Sequence, residues 1–330
     1  MSSQSLSRDD LLAAQTRLAG KVRQTPVLRN RQFNTETKAQ LWLKAENLQR
    51  VGAFKARGAF NFVSKLSHKQ LTTGLVTYSS GNHAQAVAWV AGVFHTKATI
   101  FMPVNAPEVK VASVKRMGAT VVPVGTTSTE RQAAAREFVA KSGGELVEPF
   151  DHPDTIAGQG TAFLELQSQI AELFPGSGTS LDALYVPVGG GGLLAGACLA
   201  FSGTSTKIIA VEPEGCDSMN QSIKAGKIVS VEPGSSIADG LKPTRVGQLN
   251  FDICKSRLES TVTVNDAEIG RALVKLLLQT KTLAEPSGAA ALAAALKHAE
   301  PRTRIGVLIS GGNIAPETIG ELLKIHGNSI

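Results

Sequence analysis

Four adjacent glycines, Gly189, Gly190, Gly191 and Gly192, follow the apolar run Tyr185-Val-Pro-Val188 and precede the helix-like run Leu193-Leu-Ala-Gly-Ala. Such a stretch loses more conformational entropy on folding than an ordinary turn requires. What it offers in return is a set of backbone amides able to converge on an anion, with the dipole of the following helix favouring negative charge. The run therefore reads as a phosphate cradle. It is not a Walker loop, because no Gly-Lys-Ser/Thr follows, and it lacks the GxGxxG spacing with an acid about 20 residues on. The plain alternative is a turn whose glycines serve only close packing of strand against helix.

Apolar or β-branched runs recur at residues 40–44, 75–78, 98–102, 120–124, 183–188, 207–211 and 305–309, each before a turn or a helix-like segment. Between them lie helical patterns at 84–93, 108–116, 129–142 and 266–278, and a first helix is expected from the Ser7-Arg-Asp-Asp10 start. Strands alternating with helices imply parallel βαβ units and an α/β fold. The best domain borders are the loops before Leu71 and around residues 149–154.

Composition narrows the function classes. With 42% hydrophobic and 18% charged residues and 32 glycines, the chain is neither disordered nor collagenous nor a coiled coil. Cys198, Cys216 and Cys254 form an odd, widely spaced set without CxxC, which argues against a disulfide scaffold or zinc ribbon and fits a reducing cytosol. The polar start lacks a secretory signal, and no apolar stretch approaches the roughly 20 residues of a membrane span. A soluble, cytoplasmic protein is expected. Residues 1–150 carry 20 Lys and Arg against 9 Asp and Glu, and the remainder 14 against 18. The cations are scattered and only two Trp and two Tyr are present, so no nucleic-acid partner is expected; small anionic substrates suit the charge better.

Lys55 lies in Asn47-Leu-Gln-Arg-Val-Gly-Ala-Phe-Lys55-Ala-Arg-Gly-Ala-Phe-Asn61, a largely apolar setting. Dehydration there would lower its pKa and make it a usable amine, although a lysine in an amphipathic segment is more often solvated. Tyr78-Ser79-Ser80-Gly81-Asn82-His83 falls between a strand and a helix, where hydroxyls, an amide and the first helical N–H groups can bind a carboxylate. Its bland reading is a helix cap. Ser310-Gly-Gly-Asn313 again follows an apolar strand, and there the bland reading is a polar turn.

These elements in this order resemble the fold-type II pyridoxal-phosphate enzymes, especially the serine/threonine dehydratases and eukaryotic-type serine racemases. The likeness runs from Gln24-Thr-Pro-Val27 through Ala53-Phe54-Lys55, Ser79 to His83, Ala157-Gly-Gln-Gly-Thr161, the glycine run, Ile237-Ala-Asp239-Gly240 and Glu285-Pro286 to Ser310-Gly-Gly-Asn313. It implies two open αβα domains with mostly parallel sheets and the cofactor in the cleft between them. Residues 1–72 and 151–330 would form the large domain and 73–150 the small one. With the chain ending soon after Ser310, no appended regulatory domain is expected.

The resemblance also implies residue roles. Lys55, beside Phe54, would hold pyridoxal phosphate covalently and act as catalytic base. Gly189 to Gly192 would bind the phosphate, Asn82 the ring hydroxyl, Ser310 would face the ring nitrogen, and Glu285 would line the cofactor site. Ser79, Ser80, Asn82 and His83 would take the substrate carboxylate, with Arg131 and Asp239 shaping the pocket. Ser80 would also serve the opposite face of the cofactor in racemisation. A hydroxyl at the ring nitrogen, where other enzymes use an acid, favours expulsion of a β-hydroxyl. The implied reaction is dehydration and deamination of serine or threonine, with serine racemisation alongside it. The alternative is conversion of 3-hydroxyaspartate to oxaloacetate; a non-enzymatic phosphate-binding module is the rival from another class. A homodimer is implied. A Mg²⁺ or Ca²⁺ site is expected at Glu212, the carbonyl of Cys216 and Ser218, where the family pattern has an acid in the last position and this chain shifts it to Asp217.

Overall fold

The computed structural model describes residues 6–173 and 181–329. Its strands, among those residues, are β1 (Val27–Leu28), β2 (Gln40–Ala45), β3 (Leu75–Tyr78), β4 (Ala98–Met102), β5 (Thr120–Pro123), β6 (Glu145–Leu146), β7 (Ala183–Pro187), β8 (Lys207–Pro213), β9 (Leu258–Val264) and β10 (Arg304–Ile309). They form a six-stranded sheet of order β1-β2-β10-β7-β8-β9 and a four-stranded sheet of order β5-β4-β3-β6. Every pairing is parallel except that of β1 with β2.

Period-two alternation gives each sheet two buried faces. Leu43, Val307, Tyr185 and Ile209 stand opposite one another across β2, β10, β7 and β8 and share one core. Their chain neighbours Trp42, Leu184 and Ile208 belong to the other. In the smaller sheet, Leu75, Ile100 and Met102 face one core while Val76, Tyr78 and Phe101 face its opposite. These buried, nearly all-apolar strands explain why the runs are continuous rather than half polar.

The four-stranded sheet spans residues 75–146, inside the expected small domain, but its core is not confined to that segment. Leu18, Ala59, Phe60, Phe62 and Val63 pack into it. The helix Lys55–Val63 therefore sits on the junction, with Gly58 on its other side pressed against the helix Pro153–Leu173. No helix among the described residues is long and apolar enough to cross a membrane.

Candidate active site

Lys55 is the first residue of its helix, and two devices fix that start. Upstream, Val51 has φ 52° and Gly52 φ 72°, a left-handed pair that a β-branched residue seldom joins without support. Support comes from Asn313, whose Nδ2 donates to the Val51 carbonyl at 2.7 Å, and from the Gly312 amide, which donates to the Gly52 carbonyl at 2.9 Å. Downstream, buried Arg57 donates to Glu46 at 2.7 and 2.8 Å and to Glu165 at 2.7 Å through each of two nitrogens. Removing one partner from such a buried pair costs about 3–5 kcal/mol, so the first turn of the Lys55 helix is held firmly.

The Ser310 motif is drawn to the same place. The Phe54 amide donates to the Ser310 carbonyl at 3.1 Å, and Ala53 bridges Gly311. Ser310 is buried, with its hydroxyl 3.4 Å from the Ser287 carbonyl. Across from it, Asn82 donates to Glu285 Oε1 at 2.6 Å and accepts from Asn313 Nδ2 at 2.7 Å. A Cβ on Gly311 would lie 2.3 Å from Glu285 Oε1, which is why only glycine fits there. Burial, then the charge of Asp239, pushes Glu285 up to about 7.

Lys55 Nζ donates to the Pro149 carbonyl at 2.5 Å and lies 5.1 Å from the centre of the Phe54 ring. Burial brings its pKa down to about 7, far from the 10.4 of a solvated lysine. A neutral amine is thus available at physiological pH. The apoprotein is expected to capture added pyridoxal phosphate, measured as borohydride-fixed label, at a rate that rises through about pH 7. A midpoint near 10 would show that Lys55 is an ordinary lysine.

Ser79 stands at the end of β3, its amide on the Phe101 carbonyl and its hydroxyl accepting from the Gly81 amide at 3.3 Å. Ser80 is half-buried, without a hydrogen-bond partner among the described residues, just ahead of the helix Asn82–Val93. The His83 ring is engaged elsewhere. Its Nε2 meets the Val147 carbonyl at 2.9 Å, which makes that nitrogen the donor and leaves buried Nδ1 as a bare acceptor. Burial and the neighbouring Lys55 charge lower its pKa to about 3. A neutral ring with only an acceptor left repels a carboxylate, so of His83 only the backbone amide, second in the helix Asn82–Val93, remains for one. Arg131 is buried at the start of the helix Ser128–Ser142, bonded to the Thr126 carbonyl at 3.2 Å and Ser128 Oγ at 3.1 Å. The exposed Asp239 carboxylate pairs with Lys110 at 2.6 Å.

The glycine run sits where a cradle is needed. Gly191 has φ 95°, and the helix Gly192–Ala200 starts one residue later. A Cβ would come within 2.8 Å of the Gly240 carbonyl at Gly189, 2.3 Å of the Phe150 ring at Gly190 and 2.6 Å of the Phe150 carbonyl at Gly192. No described carbonyl or side chain accepts from these four amides. Close by are polar atoms that are buried and unpaired: both ends of Gln159 beside Gly192, and Asn250 Oδ1 beside Gly191.

The sequence profile of the family described as pyridoxal-phosphate dependent enzyme matches residues 18–311. The chain belongs to that family. Among curated relatives of this enzyme, an L-threo-3-hydroxyaspartate ammonia-lyase of Saccharomyces cerevisiae is 40% identical over 96% of this chain and 95% of its own. A serine racemase of Schizosaccharomyces pombe is 38% identical over 96% and 97%. The structure of maize serine racemase superposes with a TM-score of 0.90 at 35% identity, covering 99% of both chains. The architecture is that of the fold-type II enzymes.

The residues fit pyridoxal phosphate: free glycine amides for the phosphate, an activated Lys55 for the aldehyde, Ser310 and the Asn82–Glu285 pair around the ring. The segment 147–151, which overlaps the domain border expected around residues 149–154, threads the whole site. Val147 holds His83, Pro149 holds Lys55, Phe150 backs Gly190, and Asp151 caps the helix Gln248–Cys254 by accepting from Gln248 and Leu249 amides at 2.9 and 3.0 Å.

The side chains of the expected metal site are engaged within the protein. Both oxygens of Glu212 accept amides of the helix Ser218–Ala225, from Met219 and Asn220 at 2.8 Å each. Ser218 Oγ turns to the Pro243 carbonyl, and Asp217 is occupied by Asn220 and Gln221 side chains at 2.6 and 2.9 Å. One carboxylate that caps a helix is a poor start for a cation that wants six or more oxygens. EDTA is expected to leave turnover and melting temperature unchanged; recovery of lost activity by added Mg²⁺ would restore the metal.

Proposed function

We propose that this enzyme eliminates water from 3-hydroxy amino acids and releases the 2-oxo acid and ammonia. The observation that carries this reading is Ser310, a hydroxyl rather than an acid, buried with its carbonyl on the amide of Phe54, the neighbour of Lys55. Bound pyridoxal phosphate would supply the electron-withdrawing ring that acidifies the α-proton, and Ser310, facing the ring nitrogen with a hydroxyl instead of an acid, would leave that ring largely neutral, which favours loss of the β-hydroxyl. Lys55, neutral near pH 7, withdraws the α-proton. Ser79, Ser80 and the first amides of the Asn82 helix receive the substrate carboxylate, and Asn82 is steadied by Glu285 and Asn313. The products balance as 2-oxo acid plus ammonia, one water leaving in elimination and one entering in release. The curated relatives named above act on 3-hydroxyaspartate and serine, which supports this substrate class. Steady-state assay of L-serine, D-serine, L-threonine and the 3-hydroxyaspartate stereoisomers tests it. Formation of no 2-oxo acid from any of them would overturn it.

Racemisation of serine is the second reading, favoured by the unpartnered Ser80 hydroxyl, the group available for the face opposite Lys55. Ser80→Ala should then suppress reaction of D-serine while sparing proton removal from L-serine. Equal loss with both enantiomers would assign Ser80 to carboxylate binding alone. We further propose a homodimer in the cytoplasm, testable by sedimentation and by fractionation.

A further inference from the structure

We propose that Lys110 is the residue that selects substrates with a second carboxylate, binding the β-carboxylate of a 3-hydroxy dicarboxylic amino acid in place of Asp239. This rests on the elimination reading above and deepens it.

Lys110 belongs to the helix Glu108–Arg116, which follows the carboxyl end of β4, the strand next to the one that ends at Ser79. Asp239 opens the 3₁₀ turn Asp239–Leu241 of the other domain. Their 2.6 Å ion pair therefore ties the two walls of the cleft together. The residue after Asp239 touches the cofactor cradle directly: the Gly240 carbonyl lies 2.8 Å from a Cβ placed on Gly189, and the Gly240 amide donates to Ser287 Oγ at 2.9 Å. Ser287 in turn offers its carbonyl to Ser310. Lys110 is thus tied, through Asp239, to the residue that abuts the phosphate loop, and its helix follows β4 beside the strand that leads to Ser79.

A dicarboxylate entering this cleft needs a cation beyond the groups that hold its α-carboxylate. Lys55 is committed to the cofactor and the α-proton. Arg131 gives its terminal nitrogens to the Thr126 carbonyl and to Ser128, which leaves only its buried Nε and no two-pronged face for a carboxylate. Lys110 spends its charge on a partner whose side chain is 59% exposed, and exposed ion pairs contribute little. Exchange of Asp239 for a substrate carboxylate that arrives in a narrower, drier setting is correspondingly easy. With serine or threonine the lysine simply keeps Asp239. Both charges also reach the buried carboxyl of Glu285, which places the pair within electrostatic range of Asn82.

The test uses holoenzyme with Lys110→Met, Lys110→Arg and Asp239→Asn. In Lys110→Met, the ratio of kcat/KM for L-threo-3-hydroxyaspartate over L-serine should fall about 100-fold, mostly through KM, the scale expected when one partner of a desolvated charge pair is removed. Lys110→Arg should keep most of the ratio, and Asp239→Asn should raise it by removing the competitor. Independently of turnover, succinate should inhibit wild type more strongly than butyrate, and Lys110→Met should erase the difference. Parallel loss on both substrates, or no preference for succinate in wild type, would overturn the assignment. If 3-hydroxyaspartate is consumed but its selectivity ignores Lys110, this inference fails and the elimination reading stands. If no 2-oxo acid forms yet succinate selectivity depends on Lys110, the elimination reading fails and the subsite stands.

Discussion

Lys55→Ala should abolish turnover, by at least about 10⁴-fold, because the one amine is proposed as both the covalent anchor and the base, and each role alone is worth orders of magnitude. The variant should also lose the borohydride-reducible link to pyridoxal phosphate and the colour that goes with it. It should remain folded. The side chain makes one hydrogen bond, to the Pro149 carbonyl, and its lowered pKa means that folding disfavours its charged form. The sign follows: below about pH 7 the native protein must hold a proton there that the unfolded chain holds more readily, so removing the amine relieves a cost in acid rather than adding one. Melting temperatures of the cofactor-free variant equal to or above those of cofactor-free wild type at pH 6, with no reducible label on adding pyridoxal phosphate, are the expected pair of results. A label that survives in Lys55→Ala would move the anchor elsewhere.

The parts of this site that were legible in the sequence are those whose chemistry is local. The glycine run, Lys55 in its apolar segment, and the Ser79 and Ser310 turns each follow or precede an element that periodicity marks, and the structure draws them around one cleft. The strands expected from apolar runs all form; in most of them burial on both faces leaves no polar alternation to confuse the pattern, while the edge strand β5 forms on its Val-Val pair with neither face fully buried. β9 is hidden because Leu258-Glu-Ser-Thr-Val-Thr-Val264 is a half-buried sheet edge whose first half is mostly polar. Long-range partners were equally hidden. That Glu46 and Glu165 would close on Arg57, or Asn313 on Val51, depends on pairings 11 to 262 residues apart that no spacing rule encodes. The role of His83 illustrates a subtler limit. Its place beside Asn82 was plain, but its tautomer is dictated by the Val147 carbonyl, a backbone atom on another segment.

Phe150 shows how such a hidden partner can be exposed by experiment. Gly190→Ala should weaken pyridoxal phosphate binding by about 5- to 150-fold, because its Cβ would sit 2.3 Å from the Phe150 ring and the loop must shift by forcing its amides off the phosphate. Overpacking of this kind costs about 1–3 kcal/mol, and each 1.4 kcal/mol is tenfold in affinity. The ring is the obstacle, so shortening it should help. In Gly190→Ala with Phe150→Ala the space returns, and cofactor affinity should recover to within about tenfold of the Phe150→Ala single variant. Gly192→Ala provides the contrast, since its Cβ meets the Phe150 carbonyl at 2.6 Å, and a backbone atom stays in place whatever side chain residue 150 carries. Affinity there should fall and not be rescued by Phe150→Ala. Equal behaviour of the two glycine variants in the Phe150→Ala background would mean that residue 150 does not support the loop, and the unclaimed amides would need another explanation for their alignment.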